Sequence, residues 1–154
     1  LDALNLSIDA PLLSEEMQAS HANGIHQFIS GLWKQSHQAL QSLLDLSPPG
    51  DILDFSQIIL NHSEGIMNGA TNTPEDILSL CQRMDPYRRL SRAKSLINTL
   101  PSSHNAARIF WIEAFDALTE IDIQSVISGS QANQRAALIE NARLSVIKRL
   151  CESK

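Results

Sequence analysis

The sequence predicts an all-α fold, a bundle or short stack of six to seven antiparallel helices, and three observations carry that reading. Apolar residues recur at three- and four-residue spacing through almost the whole chain. Pro, Gly and Asx/Ser/Thr residues punctuate the periodic stretches at helix-length intervals. One stretch, residues 109–121, carries apolar side chains in most directions around a helical axis and therefore belongs at the centre. A chain of 154 residues suits one domain and buries roughly 70% of the surface its unfolded form exposes, so it needs no disulfide or metal to fold.

Residues 1–13 lack a strong period and are set off by Pro11, which makes them a leader strap or tail; the single helical domain occupies 14–154. Ser14 caps the first helix, with Glu15 and Glu16 near its positive end. Ile25, Phe28, Ile29, Leu32, Leu40, Leu43 and Leu44, bridged by Ser36 and Ala39, predict one helix running to Leu46. Ser47-Pro48-Pro49-Gly50 is the clearest break, because two prolines lack amides and glycine adds backbone freedom. Asp51 then reads as a cap for a helix burying Ile52, Phe55, Ile58, Ile59 and Ile66, which Gly65 and Gly69 loosen before a polar linker.

Thr73-Pro74-Glu75-Asp76 is an N-cap, a proline at the first helical position and two acids near the dipole. The apolar stripe of that helix is Ile77, Leu80, Cys81 and Met84. Asp85-Pro86 repeats the cap-and-proline signal ahead of Leu90, Ala93, Ile97 and Leu100, and Pro101 ends that helix. Ser102 or Ser103 opens the central helix with Ile109, Phe110, Trp111, Ile112, Phe115, Leu118 and Ile121; its only polar stripe is Glu113, Asp116 and Glu120. Asp122 caps a short helical turn that Gly129 stops. Ser130 caps the last helix, expected to turn Ala136, Ile139, Val146, Ile147 and Leu150 inward and to hold Arg135, Arg143, Lys148 and Arg149 at or near the surface.

Charge divides the chain more sharply than its net value of −5 suggests. Through Gln82 there are ten acidic residues and one basic, Lys34, leaving −9; from Arg83 on there are seven acidic and eleven basic, leaving +4. The halves attract, either within the bundle or across a homo-oligomer interface. A nucleic-acid site would call for a larger basic excess with aromatics beside it, so nucleic acid is set aside as a partner. No apolar run reaches the roughly 18 residues of a membrane span, and no basic-then-apolar leader opens the chain, which makes a cytoplasmic protein the default. The start at Leu1-Asp2 without methionine suits an excised domain or a processed product. Cys81 and Cys151 lie in apolar helical stretches rather than in CxxC spacing and read as small core residues of a reducing compartment.

No constellation of catalytic, metal-binding or cofactor-binding residues emerges. His26 and His37, eleven residues apart on one predicted helix with Trp33 between, stand about 16 Å apart at the helical rise and cannot share an ion. Glu113, Asp116 and Glu120 could line a di-metal bundle site, but the Glu-x-x-His such sites use occurs nowhere, so these acids are expected to pair with the basic helix. There is no Gly-rich phosphate loop, and neither cysteine has a neighbouring histidine. Contact rather than catalysis is the expected chemistry; an enzyme whose site converges only in three dimensions is the lesser alternative.

The strongest local feature is Arg83, Arg88, Arg89, Arg92 and Lys94, five basic residues within twelve after 48 with none. Guanidinium forks match carboxylates and phosphates, so this segment is the candidate interaction surface. Its partner is the acidic half of the same chain, a second copy, another protein or a phosphate polymer.

Four stretches resemble the helical middle region of ImpA-type proteins of the bacterial type VI secretion system. They are Asp85-Pro86-Tyr87-Arg88-Arg89-Leu90-Ser91-Arg92, Leu96-Ile97 before Leu100-Pro101, Phe110-Trp111-Ile112-Glu113, and the helix over 136–150. They cover less than half of the chain, the spacer after Pro101 is short for the family, and residues 1–84 add nothing to the likeness. The resemblance implies a cytoplasmic, non-catalytic scaffold that associates with itself, as a homodimer or larger, and with baseplate, tube or sheath components. The alternative is a monomeric helical adaptor or secreted effector domain that binds a partner protein through the arginine-rich helix.

Overall fold

Caps and prolines divide the chain into helices before any packing does. The computed structural model describes the backbone of residues 15–48 and 50–154, and side chains from residue 24 onward, Pro49 apart. The leader strap of residues 1–13 and the Ser14 cap lie outside the described residues. Among the described residues there are eight α-helices and no strand: α1 (Glu15–Leu32), α2 (His37–Asp45), α3 (Gly50–Asn68), α4 (Pro74–Met84), α5 (Pro86–Asn98), α6 (Asn105–Thr119), α7 (Ile123–Ile127) and α8 (Arg135–Glu152).

The eighth helix arises because the first predicted helix is two. Residues 33–36 leave the helix, and Ser36, expected to bridge the apolar face, is extended at φ −67° and ψ 156°. Its hydroxyl oxygen accepts the Ala39 amide at 3.2 Å and caps α2. The turn is held at long range: buried Trp33 donates its indole N–H to the Thr99 hydroxyl, 2.8 Å away at the end of α5, and that hydroxyl in turn donates to the Leu96 carbonyl at 2.5 Å. The break also cancels the one-helix distance assigned to His26 and His37.

Other starts lie near the sequence signals, with corrections: α6 opens at Asn105, after a 3₁₀ turn over Ser102–His104, and neither Ser102 nor Ser103 caps it. Gly50, at φ 49°, opens α3, so Asp51 sits in the first turn instead of capping it. Thr73 caps α4 as expected, accepting the Asp76 amide at 3.2 Å and donating to the Asp76 carboxylate at 2.7 Å, with Pro74 at the first position. Pro86 does start α5, but Asp85 caps nothing with its side chain; it takes the left-handed conformation at φ 52° and closes α4 by donating its amide to the Cys81 carbonyl at 2.9 Å. Inside α5, Arg89 departs from helical geometry at φ −135° and ψ 56°, so one turn after Pro86 the helix kinks before resuming. Asp122 caps α7 through the Ser125 amide. Ser130 does not cap α8: its hydroxyl donates back to the Ile127 carbonyl, and a 3₁₀ turn, Ala132–Gln134, leads into the helix.

The core forms around α6, which packs on α5, α3 and α8, while α4 packs on α3 and α8 and α1 and α2 lie on α3. Phe110, Trp111, Ala114, Phe115 and Leu118 of α6 are buried among Ile59, Ile66, Ile77, Met84, Leu96, Ile97 and Ile147. Trp111 donates its indole N–H to the Ile66 carbonyl at 2.7 Å, and its ring meets Phe110 edge-on at 5.4 Å and Phe115 at 6.1 Å. Ile109 departs from the expected inward set at 48% exposure. Ala136 is exposed too, as is the whole first turn of α8, and Ile147 is the α8 residue that is fully buried. No helix among the described residues is long and apolar enough to cross a membrane.

Candidate functional site

The five basic residues singled out in the sequence separate into two groups. Arg92 reaches back to the first turns of α3, its Nε 3.0 Å from the Asp51 carboxylate and its Nη2 2.7 Å from that of Asp54. Its guanidinium also lies over the Phe55 ring, 4.7 Å from the centroid. Only 15% of its side chain is exposed. Lys94 pairs with Asp116 of α6 at 2.6 Å. Arg83, Arg88 and Arg89 are exposed, and among the described residues no ion pair ends on them. The structure therefore places two of the five inside the chain's own charge pairing and leaves three toward solvent.

Charge attraction between the halves takes place within the chain at Arg92 and also at Lys148, which meets Glu75 at 3.4 Å. Of the acidic stripe expected to pair with the basic helix, Asp116 does so through Lys94, Glu113 pairs instead with Lys154 beyond α8, and Glu120 has no ion pair among the described residues; these pairs lie within the second half of the chain. Asp51 and Asp54 as the receptors for Arg92 escaped the sequence reading. Two acids one turn apart on an amphipathic helix were the available signal, but they do not say which cation faces them.

Because Arg92 holds α5 onto α3, reversing it places three carboxylates together. Arg92→Glu is expected to lower stability by about 2 kcal/mol and the melting midpoint by several degrees. Arg88→Glu, at an exposed position, is expected to change stability by less than about 0.5 kcal/mol. Thermal unfolding followed by circular dichroism checks both; equal midpoints for the two variants would contradict the division of the cluster.

Where α3 runs antiparallel to α4 and the start of α5, a shallow trough follows the seam. One part, of about 390 Å³, is lined by Asp54, Gln57, Arg83, Asp85, Arg89 and Arg92 with Ile58, Asn61 and His62. The adjoining part, of about 560 Å³, shares Asn61 and His62 and continues past Glu64, Asn68, Asn72, Asp76 and Ser79. The unpaired guanidiniums of Arg83 and Arg89, with the Asp85 carboxylate beside them, thus border one end, and the carboxylates of Glu64 and Asp76 the other. The His62 ring between them is held below its usual pKa, first by partial burial and then by the nearby Arg83 charge.

No protein family, curated protein or solved structure matches this chain. Among the described residues no group of three or more His, Cys, Asp or Glu side chains stands close enough to hold a metal ion. Cys81 is buried and its thiol is pushed up to about 12 by that burial, so near neutral pH it stays protonated and poorly nucleophilic. The Cys151 thiol is also raised, by burial and then by Glu152. Arg143, expected at or near the surface, is half-buried, with its guanidinium 3.6 Å above the Tyr87 ring. Burial foremost pushes the Tyr87 phenol up to about 12, so it too remains neutral. This pair joins α8 to α5 as a packing contact.

Proposed function

We propose that this chain is a non-catalytic, self-associating protein-interaction module, an assembly scaffold domain of a bacterial secretion machine of the kind its α5 to α8 sequence resembles, working in the cytoplasm. The observation that carries the reading is the remainder of the arginine cluster: Arg83, Arg88 and Arg89 are exposed and without ion pairs among the described residues, although the chain has acids enough to satisfy Arg92 and Lys94. Exposed guanidiniums carry large, preorganised forks for carboxylates and are favoured at protein interfaces. The shallow, polar trough beside them supports surface recognition over enclosure of a small substrate, since small-molecule sites are deep and mostly apolar.

The test reverses Arg88 and Arg89 to Glu together. The double variant is expected to keep its helix content and to lose at least about tenfold in self-association, because rim charges that become repulsive cost several kcal/mol. Unchanged self-association and unchanged capture of partner proteins, in a folded variant, would sink the proposal.

A further inference from the structure

The proposed self-association has a candidate geometry in the seam between α3 and α4. We infer that two copies of this chain dock antiparallel through that seam, so that Arg83 and Arg89 of each copy meet Glu64 and Asp76 of the other. This inference rests on the self-association proposed above and specifies its interface.

Three observations carry it. First, the unpaired charges are segregated along one face. Arg83 and Arg89 border the end of the trough beside the first half of α3, and Glu64 and Asp76 border the end beside its second half. Arg83 follows Asp76 by seven positions of α4, which puts the two about 10 Å apart along the axis. Second, all four side chains are exposed and none has an ion-pair partner among the described residues. Of the other charges on the face, Asp54 is engaged by Arg92. Asp85 is the remaining carboxylate at the basic end, sitting at the left-handed junction between α4 and α5. Asp76 also accepts the Thr73 hydroxyl, which leaves its second oxygen available.

Third, a face with positive charge at one end and negative charge at the other is complementary to itself after a two-fold rotation. Closed homodimers use such isologous patches, in which residue i meets j and j meets i. The same face matches no parallel copy, since like ends would then coincide. Between the ends lie Asn61 and His62, shared by both parts of the trough, with half-buried Ile58 on the basic side and Leu60 on the acidic side, and the ridge of one copy's helix can settle in the other's shallow trough.

A charge-swap experiment tests the geometry. One variant carries Glu64→Lys and Asp76→Lys, and a second carries Arg83→Glu and Arg89→Glu. Each is expected to self-associate on the order of a hundredfold more weakly than the wild type, since both ends of its dimer then bear like charges. An equimolar mixture of the two is expected to form a heterodimer of near wild-type affinity, because every contact is again opposite in sign. Circular dichroism verifies folding; should a reversed variant not fold, the neutral pair Glu64→Gln with Asp76→Asn and Arg83→Gln with Arg89→Gln replaces it, and loss of salt-sensitive dimerisation is the expected result. Folded single variants that still dimerise like the wild type, or a mixture that fails to pair, would overturn the seam as interface while the wild type's own self-association stands. A monomeric wild type would overturn both this interface and the function it rests on.

Discussion

Trp111→Ala is expected to lower the stability of this domain by about 3–5 kcal/mol, a large part of the 5–15 kcal/mol typical of a whole domain. The indole is fully buried, touches two aromatic rings and bonds the Ile66 carbonyl at 2.7 Å, so truncation leaves both a cavity and an orphaned acceptor. Trp111→Phe separates those effects. It keeps most of the packing and removes the donor, and is expected to cost about 1–3 kcal/mol. Urea titration followed by far-ultraviolet circular dichroism reads both values. A loss below about 1 kcal/mol for the alanine variant would contradict the placement of α6 at the centre.

Gly69→Ala is expected to cost about 2–4 kcal/mol, from two sources that reinforce each other. Gly69 takes φ +54°, where an L side chain is strained, and a β-carbon there would stand 3.0 Å from both Cα and Cβ of Ala107. Those atoms belong to the wall of α6 and cannot rotate away. Gly31 provides the contrast: it lies in α1 with open space around its missing β-carbon. Gly31→Ala is expected to stabilise by about 0.5–1 kcal/mol through helix propensity alone. Equal effects at the two glycines in the same titration would contradict the close approach of the turn after α3 to α6.

How much of this was legible in the sequence depended on the range of the force involved. Local chemistry was readable. The Thr73-Pro74 start, the Ser47 to Gly50 break and the Asp122 cap follow from amides, rings and short side chains acting within four residues, and all stand where expected. So does the central position of the 109–121 segment, although Ile109 itself faces outward, because an all-round apolar helix has nowhere else to go.

What escaped was decided at long range. The apolar period carries on through Ser36 and Ala39 and so reads as one long helix; the chain turns there with the Ser36 hydroxyl capping α2 and with Trp33 bonded to Thr99, 66 residues away. Asp85 looked like a second Thr73, yet α4 needed a left-handed residue to close it, and that backbone demand removed the side chain from capping. The arginine cluster showed the limit most clearly. Five cations in one run look equivalent in sequence, and the fold makes Arg92 a tether to Asp51 and Asp54 while leaving Arg83, Arg88 and Arg89 at the surface. That division depends on which helix faces which. The opposed acids, Glu64 and Asp76, lie on the same seam for the same reason.

The central claim, self-association through that charged surface, is tested most directly by the solution mass of the wild-type chain, measured by light scattering behind a sizing column at low and at high salt. The account predicts a mass of at least twice 17.0 kDa at low salt, falling as salt shortens the screening length to about 3 Å near 1 M. A mass of 17.0 kDa at both salts would contradict it and would leave the exposed arginines to a partner of different sequence.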